Sequence, residues 1–538
     1  MSAKTIPFSP VDTVWYRMDR PANHVMVTSV FTLDGPVNFE RVKATLANRL
    51  LHFDRFRCRV VEHGFPNPTL YWEEDPYFDI DKHIHHVALP EPGDKQALLD
   101  LVADLATVSI DYERPLWQVH VVDHVDQGSA VVMRFHHCIA DGTAMLAVSN
   151  RMFDASADAP VELTDTGRKK KHRGFLSTMI RPAKAITGLA HTGVDAVAHP
   201  QATLGKVQYA AEGVSTAAMT ALRDPDPQTP LRGPLTGKQR VTYSDPVPLD
   251  AVRAIGKAHN ATVNDVLVSA MAGALRHYML QKGFNPDGLT VRAAVPVDLR
   301  PAGQGEKLGN AFGLVFPQMP VGEPDVLRRL HSTKRAMDRI KRSPEAEVLL
   351  SIMALMGHTP KTTEDLIAGI LASKASLVFT NVAGPRQKLF FAGACIRSMV
   401  FWVPHPTEMT TGISILSYNG LVSLGVITDA GVIPDPEIIT DQFAREFATM
   451  QEMTRVEEVA EATAARAAEK RAAAQASAVE PKRAKAAATP RVPKAAIQAE
   501  AAPVAPAAAH CAATTKAGQP CKNKALPGSP YCRVHQPE

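Results

Sequence analysis

The sequence predicts an α/β protein with two similar-sized subdomains, each built from a mixed sheet with flanking helices, and a cleft between them. Three observations carry that expectation. Apolar, β-branched runs of strand length recur in both halves of the chain and are separated by stretches with helical periodicity. Residues 155–240 interrupt the pattern with a polar, basic and proline-punctuated crossover. From about residue 455 the composition turns to Ala, Lys, Arg, Glu and Pro, which cannot bury a core and predicts a disordered tail. The expected boundaries are therefore 1–154, 155–240, 241–454, 455–509 and 510–538. A chain of 538 residues is long enough for two or more cores.

In the first half, Pro7-Phe8-Ser9-Pro10-Val11-Asp12 leads to an apolar strand, Val25 to Leu33, that ends at Asp34-Gly35. A helix follows from about Phe39 to Leu51, with Val42, Leu46, Leu50 and Leu51 on one face. Phe53 to Val61 alternates arginines with apolar residues, the pattern of a strand with a basic face. His83, His85 and His86 cluster in the next segment, but only Asp79 and Asp81 lie near enough to complete a metal site. An amphipathic helix over 96–109 and a strand entered through Arg114-Pro115-Leu116-Trp117 come next.

The most informative stretch is 129–146, SAVVMRFHHCIADGTAML. Ser129 to His137 has strand composition, Asp141-Gly142 signals a turn, and the small residues after Thr143 suit a helix start. Alternate strand side chains point to opposite faces, so His136 and His137 cannot both serve one site. An imidazole at the mouth of an apolar strand suits a general base, because its ordinary pKa lies near working pH. Asp141 could set the loop geometry or hold an arginine. The bland alternative is a buried, hydrogen-bonded histidine pair.

The second half opens with a strand near Gln239–Tyr243. Thr262 then caps a long helix in a box-like arrangement with Asp265, and Gly283 ends it. A strand from Leu289 to Val297 runs into Asp298-Leu299-Arg300, and Gly309-Asn310-Ala311-Phe312-Gly313 opens another apolar run. Residues 325–356 and 361–373 are helical by period. Strands are expected at 377–381, 394–403, 411–418 and 421–428, before a helix over 436–454.

The totals exclude some functions. A net charge of +4 is too small to imply nucleic acid, and no run reaches the ~18 apolar residues of a membrane span. The N-terminus lacks the apolar core of a secretory signal, and six cysteines in this length suit a reducing cytoplasm. Three of those cysteines fall in the tail, where Cys511, Cys521, Cys532 and His535 make a Cys-x9-Cys-x10-Cys-x2-His set suited to a structural zinc ion. A loose tail with incidental thiols is the other reading. The basic run Arg168 to Arg173 fits either contact with anionic lipid or a solvated linker.

His136, His137, Asp141 and Gly142 match the HHxxxDG signature of CoA-dependent acyltransferases. With Pro115-Leu116-Trp117, Asn264-Asp265 and Thr380-Asn381-Val382-Ala383-Gly384-Pro385, residues 6–452 resemble the bacterial wax ester synthase/diacylglycerol acyltransferase family. The resemblance implies two acyltransferase-like subdomains and long-chain acyl-CoA as donor. The acceptor would be diacylglycerol or a long-chain alcohol, and the product a storage lipid. It implies His137 as the base within a motif of His136, His137, Asp141 and Gly142, and no cofactor for the reaction, acyl-CoA being a substrate. It also implies Arg57 as partner of Asp141, a supporting role for Asn264 and Asp265, and Asn310 as a substrate contact. A cytoplasmic protein acting on such lipids would gather at the membrane or at lipid droplets. The family does not normally carry the zinc-like tail. Alternatives are another CoA- or carrier-thioester acyltransferase of the superfamily, or a lipid-surface or nucleic-acid binding protein acting through its tail.

Overall fold

The computed structural model describes residues 5–64, 68–162, 216, 220–301, 304 and 307–478. The basic run 168–173 and the tail residues Cys511, Cys521, Cys532 and His535 lie outside them. By internal contacts, residues 1–466 form one compact unit and 467–538 another.

In chain order the elements are β1 (Thr5–Pro7), α1 (Pro10–Arg17), β2 (Met26–Leu33), α2 (Phe39–Thr45), β3 (Cys58–His63), β4 (Thr69–Glu74), β5 (Ile84–Ala88), α3 (Lys95–Thr107), β6 (Trp117–Val125), β7 (Gly128–His136) and α4 (Gly142–Met152). After the crossover come β8 (Gln239–Tyr243), β9 (Val247–Pro248), α5 (Leu249–Ala258), α6 (Val263–Gln281), β10 (Val291–Asp298), β11 (Phe312–Val315), β12 (Gln318–Met319), α7 (Val326–Ile340), α8 (Glu345–Met356) and α9 (Lys361–Ala372). The last are β13 (Leu377–Ala383), β14 (Phe390–Phe391), β15 (Ala394–Trp402), β16 (Thr411–Tyr418), β17 (Leu421–Asp429) and α10 (Glu437–Ala478).

Two mixed sheets dominate. The first runs β14-β15-β2-β7-β6-β5 and is antiparallel except for the β5–β6 pair. The second runs β11-β10-β13-β16-β17-β8, with β13 parallel to both its neighbours. A small antiparallel sheet, β1-β4-β3, flanks the first. Every residue of β7 is buried, as expected of a central strand covered on both faces.

One strand crosses the boundary expected at 241. β15 belongs by sequence to the second half, yet it pairs with β2 in the first sheet. The Trp402 indole at its end donates to Thr242 O of β8, 2.9 Å away, tying the two sheets together. Residues 241–454 are therefore not a self-contained body, because one of their strands completes the other sheet.

Local signals hold well elsewhere. Thr262 and Asp265 form the capping box at the start of α6. The expected helix over 325–356 breaks at Ser343-Pro344 into α7 and α8, since proline cannot continue the hydrogen-bond ladder. α8 packs against α1 and β11, and this places α1 beside the loop that precedes β11.

Candidate active site

His137 lies one residue past the end of β7, where the chain turns toward α4. Its N–H donates to Val25 O at 2.9 Å and Ile139 N–H donates to His136 O at 3.0 Å, closing a tight turn. His136 faces inward and is 0 % exposed. Its Nδ1 accepts from Cys138 N–H at 3.2 Å, while its Nε2 sits 3.4 Å from Asp19, too poorly aligned for a hydrogen bond. His136 thus builds the turn and does not share the site of His137, as strand alternation requires.

His137 as a residue is half-buried. Trp15 of α1 stacks on it with ring centres 4.2 Å apart, and Phe312 meets it edge-on at 5.9 Å. Nδ1 is 3.0 Å from Asn310 Oδ1. Desolvation pulls its pKa down from 6.5 to about 4, against upward pulls from the Asp141 charge and its own carbonyl. The imidazole is therefore neutral at pH 7. The adjacent Cys138 thiol is buried, which raises its pKa well above 9 and keeps it protonated.

Asp141 caps α4, accepting from Ala144 N–H at 2.9 Å. It also receives a bidentate pair from Arg300, at 3.0 and 2.9 Å, and the Ala311 N–H at 3.0 Å. Both carboxylate oxygens are engaged by these donors, so Asp141 braces the turn. Arg300 also donates to Gly309 O at 2.8 Å. Gly309 is at φ +108°, and a Cβ there would meet Arg55 and Asp12, so only glycine fits.

The expected partner of Asp141, Arg57, is not its partner. Arg57 bonds Asp54 at 2.7 Å, lies 3.5 Å from Glu74 and donates to Leu51 O on the surface side. Residues 54–56 form a 3-10 turn, so the strand alternation read over 53–61 begins only at Cys58. That turn sends Arg55 inward instead. Arg55 donates to Cys138 O and Ile139 O at 2.8 and 2.9 Å, and to Asp12 at 2.9 Å.

Asn310 is 8 % exposed and is committed to protein partners: Asp12, the His137 carbonyl and the His137 ring. It supports the ring and is not placed as a substrate contact. Asn264 accepts from Asn381 at 3.2 Å, and the next residue, Val382, lies against Gly142. Asn264 is thus linked to the motif through Asn381 and Val382, while Asp265 serves the capping box of α6. An ideal Cβ on Gly142 would approach Val382 no closer than 3.7 Å, so packing alone does not demand glycine.

Asp12, Trp15, Arg55 and Arg300 were not singled out by sequence reasoning. Each lies in a segment that reads as ordinary, and the partners lie 43 to 298 residues away. Among the described residues no group of three or more His, Cys, Asp or Glu could hold a metal ion. In particular, His83 stacks on Trp117 and bonds its carbonyl at 2.9 Å. A cavity of about 350 Å³, lined by Lys82, His83, Arg114 and Trp117 among others, lies beside the start of β6. None of its lining residues belongs to the His137 constellation.

Two sheets meeting at this turn define the fold class of CoA-dependent acyltransferases and condensation domains. A wax ester synthase/diacylglycerol acyltransferase from Marinobacter aquaeolei superposes with TM-score 0.59 at 21% identity, over 84% of this chain and all of that one. The first condensation domain of the calcium-dependent antibiotic synthetase superposes with TM-score 0.55 at 15% identity, over 84% and 97%. The wax ester synthase/diacylglycerol acyltransferase catalytic-domain model matches residues 8–267, and the family's C-terminal domain model matches 308–451. The chain belongs to the wax ester synthase/diacylglycerol acyltransferase family and is an acyltransferase. A probable diacylglycerol O-acyltransferase, tgs1, of Mycobacterium tuberculosis is 28% identical over 76% of this chain and 87% of its own length. A putative diacylglycerol O-acyltransferase of Mycobacterium bovis matches to the same extent.

The Arg300–Asp141 pair is only 5 % and 6 % exposed, so Arg300→Ala strands a buried carboxylate. That loss is expected to cost about 3–5 kcal/mol. Arg57→Ala, on the surface, should change stability by no more than about 0.5 kcal/mol. Urea denaturation of the two variants checks the contrast, and equal losses would refute the assignment of Arg300 over Arg57.

Proposed function

We propose that this chain transfers a long-chain acyl group from acyl-CoA to the hydroxyl of diacylglycerol or a long-chain alcohol, with His137 as general base. The observation that carries the reading is the neutral imidazole of half-buried His137, held between Trp15, Phe312 and Asn310 where the two halves of the chain meet. Its free nitrogen takes the acceptor hydroxyl proton as the oxygen attacks the thioester carbonyl carbon. The carbon–sulfur bond then breaks, and the proton passes to the CoA sulfur, leaving ester and free CoA. Such a base supplies about 10²–10⁴-fold in rate. Cys138 is unsuited to a covalent route because its thiol is buried and protonated. Direct transfer within a ternary complex is the simpler course.

Substrates of this kind are insoluble in water, so we place the working enzyme at a membrane or lipid-droplet surface. The basic run Arg168 to Arg173 supports that reading by its charge alone. Among the described residues no helix is long and apolar enough to cross a membrane. For the tail we propose a structural zinc ion held by Cys511, Cys521, Cys532 and His535, on the strength of the donor set.

Thin-layer separation of labelled lipids, after incubation with acyl-CoA and each acceptor in turn, tests the reaction. His137→Ala should retain its fold and lose at least 10²-fold in turnover; undiminished CoA release would remove the base. Because the base acts when neutral and its pKa lies near 4, kcat/KM should stay flat from about pH 8 to pH 5 and fall only below that. A fall centred near the ordinary histidine value of about 6.5 would contradict the desolvated site. Zinc content of the full-length protein should drop on Cys521→Ser with Cys532→Ser, and equal metal in both proteins would dismiss the tail site.

A further inference from the structure

We infer that Asp12 and Asn310 form a positioning relay that decides which nitrogen of His137 is free to act; the inference rests on His137 being the base. Asp12 is completely buried in the first turn of α1. Its Oδ1 accepts twice from Asn310, from the backbone N–H at 2.9 Å and from Nδ2 at 2.8 Å. The second hydrogen of Nδ2 goes to the His137 carbonyl at 2.9 Å. A carboxylate and a carbonyl can only accept, so both positions require the amide nitrogen. The amide is thereby fixed, with its oxygen facing His137 Nδ1 at 3.0 Å.

An amide oxygen also can only accept. Nδ1 must carry the ring proton, which leaves Nε2 with a bare lone pair. The acceptor-only character of Asp12 is thus passed through one amide to the far nitrogen of the imidazole. Asn310 grips the side chain and the main chain of His137 together, while Trp15, one turn beyond Asp12 in the same helix, fixes the plane of the ring.

The relay is itself anchored. Arg55 binds Asp12 Oδ2 and the carbonyls of Cys138 and Ile139, and Gly309 leaves room for that contact. Asp12 and Asn310 come from opposite halves of the chain, 298 residues apart. The competent tautomer therefore exists only when α1 and the loop before β11 are both docked on the motif turn. Asp12 and Asn310 position the base and do not touch the reacting atoms.

The test uses the full-length protein with nitrogen-15 labelled histidine. In the wild type, the His137 resonances should show a protonated Nδ1 and an unprotonated Nε2. Asn310→Ala should mix the tautomers and lower kcat about 10–100-fold, the range for losing an outer partner of a metal-ligating histidine, with KM little changed. Asp12→Asn keeps the shape but lets the Asn310 amide turn over. It should move the same resonances in the same direction, and it serves if Asn310→Ala does not fold. A wild-type ring protonated at Nε2, or variants with unaltered tautomer and kcat, would overturn the relay. If instead His137→Ala keeps full turnover, the base assignment itself fails, and the two failures are distinguishable.

Discussion

A guanidinium at position 300 and a carboxylate at position 141 face each other through two parallel hydrogen bonds, across 159 residues of chain. Both groups are almost wholly withdrawn from water. Neither is tolerable there alone, so the second sheet must bring Arg300 to the first sheet's turn for the protein to fold as it does. The same carboxylate caps α4 and receives the Ala311 N–H, which pins the segment carrying Asn310. Geometry at the candidate base is in this way a by-product of how the two sheets join. β15 makes the union firmer by contributing a strand from one half to the sheet of the other.

Burial then sets the chemistry. His136 and His137 are neighbours in sequence, but the pleat sends one into the core and leaves the other at the junction. Around His137 the desolvation penalty outweighs the attraction of nearby Asp141, so the ring is neutral at physiological pH. That suits the base proposed above, whose task is to accept a proton from a hydroxyl. The cost is a weaker base than a solvated histidine. Positioning has to compensate, by holding the reacting oxygen in line.

How much of this could be read from the sequence depended on range. The α6 capping box, the strand–turn–helix around the motif and the apolar stripes were legible because their causes lie within a few residues. The resemblance alone points to Arg57 as the partner of Asp141, whereas the actual partner, Arg300, lies 159 residues further along the chain, beyond the reach of any local pattern. The 3-10 turn at Asp54–Phe56 breaks the alternation there, with Arg55 bonded to the motif turn and Arg57 to Asp54. Asn310 was recognised as belonging to the site, but its role was misread, since its burial depends on Asp12, 298 residues earlier. The place of β15 was equally hidden, because a strand's own sequence states that it pairs and not with which sheet.

General-base transfer by His137 requires the acceptor hydroxyl to sit beside its free nitrogen when both substrates are bound. A crystal structure with a non-transferable thioether analogue of acyl-CoA and a long-chain alcohol measures that directly. The hydroxyl oxygen should lie within about 3 Å of His137 Nε2, on the side opposite Asn310. A hydroxyl bound away from that nitrogen would contradict the account.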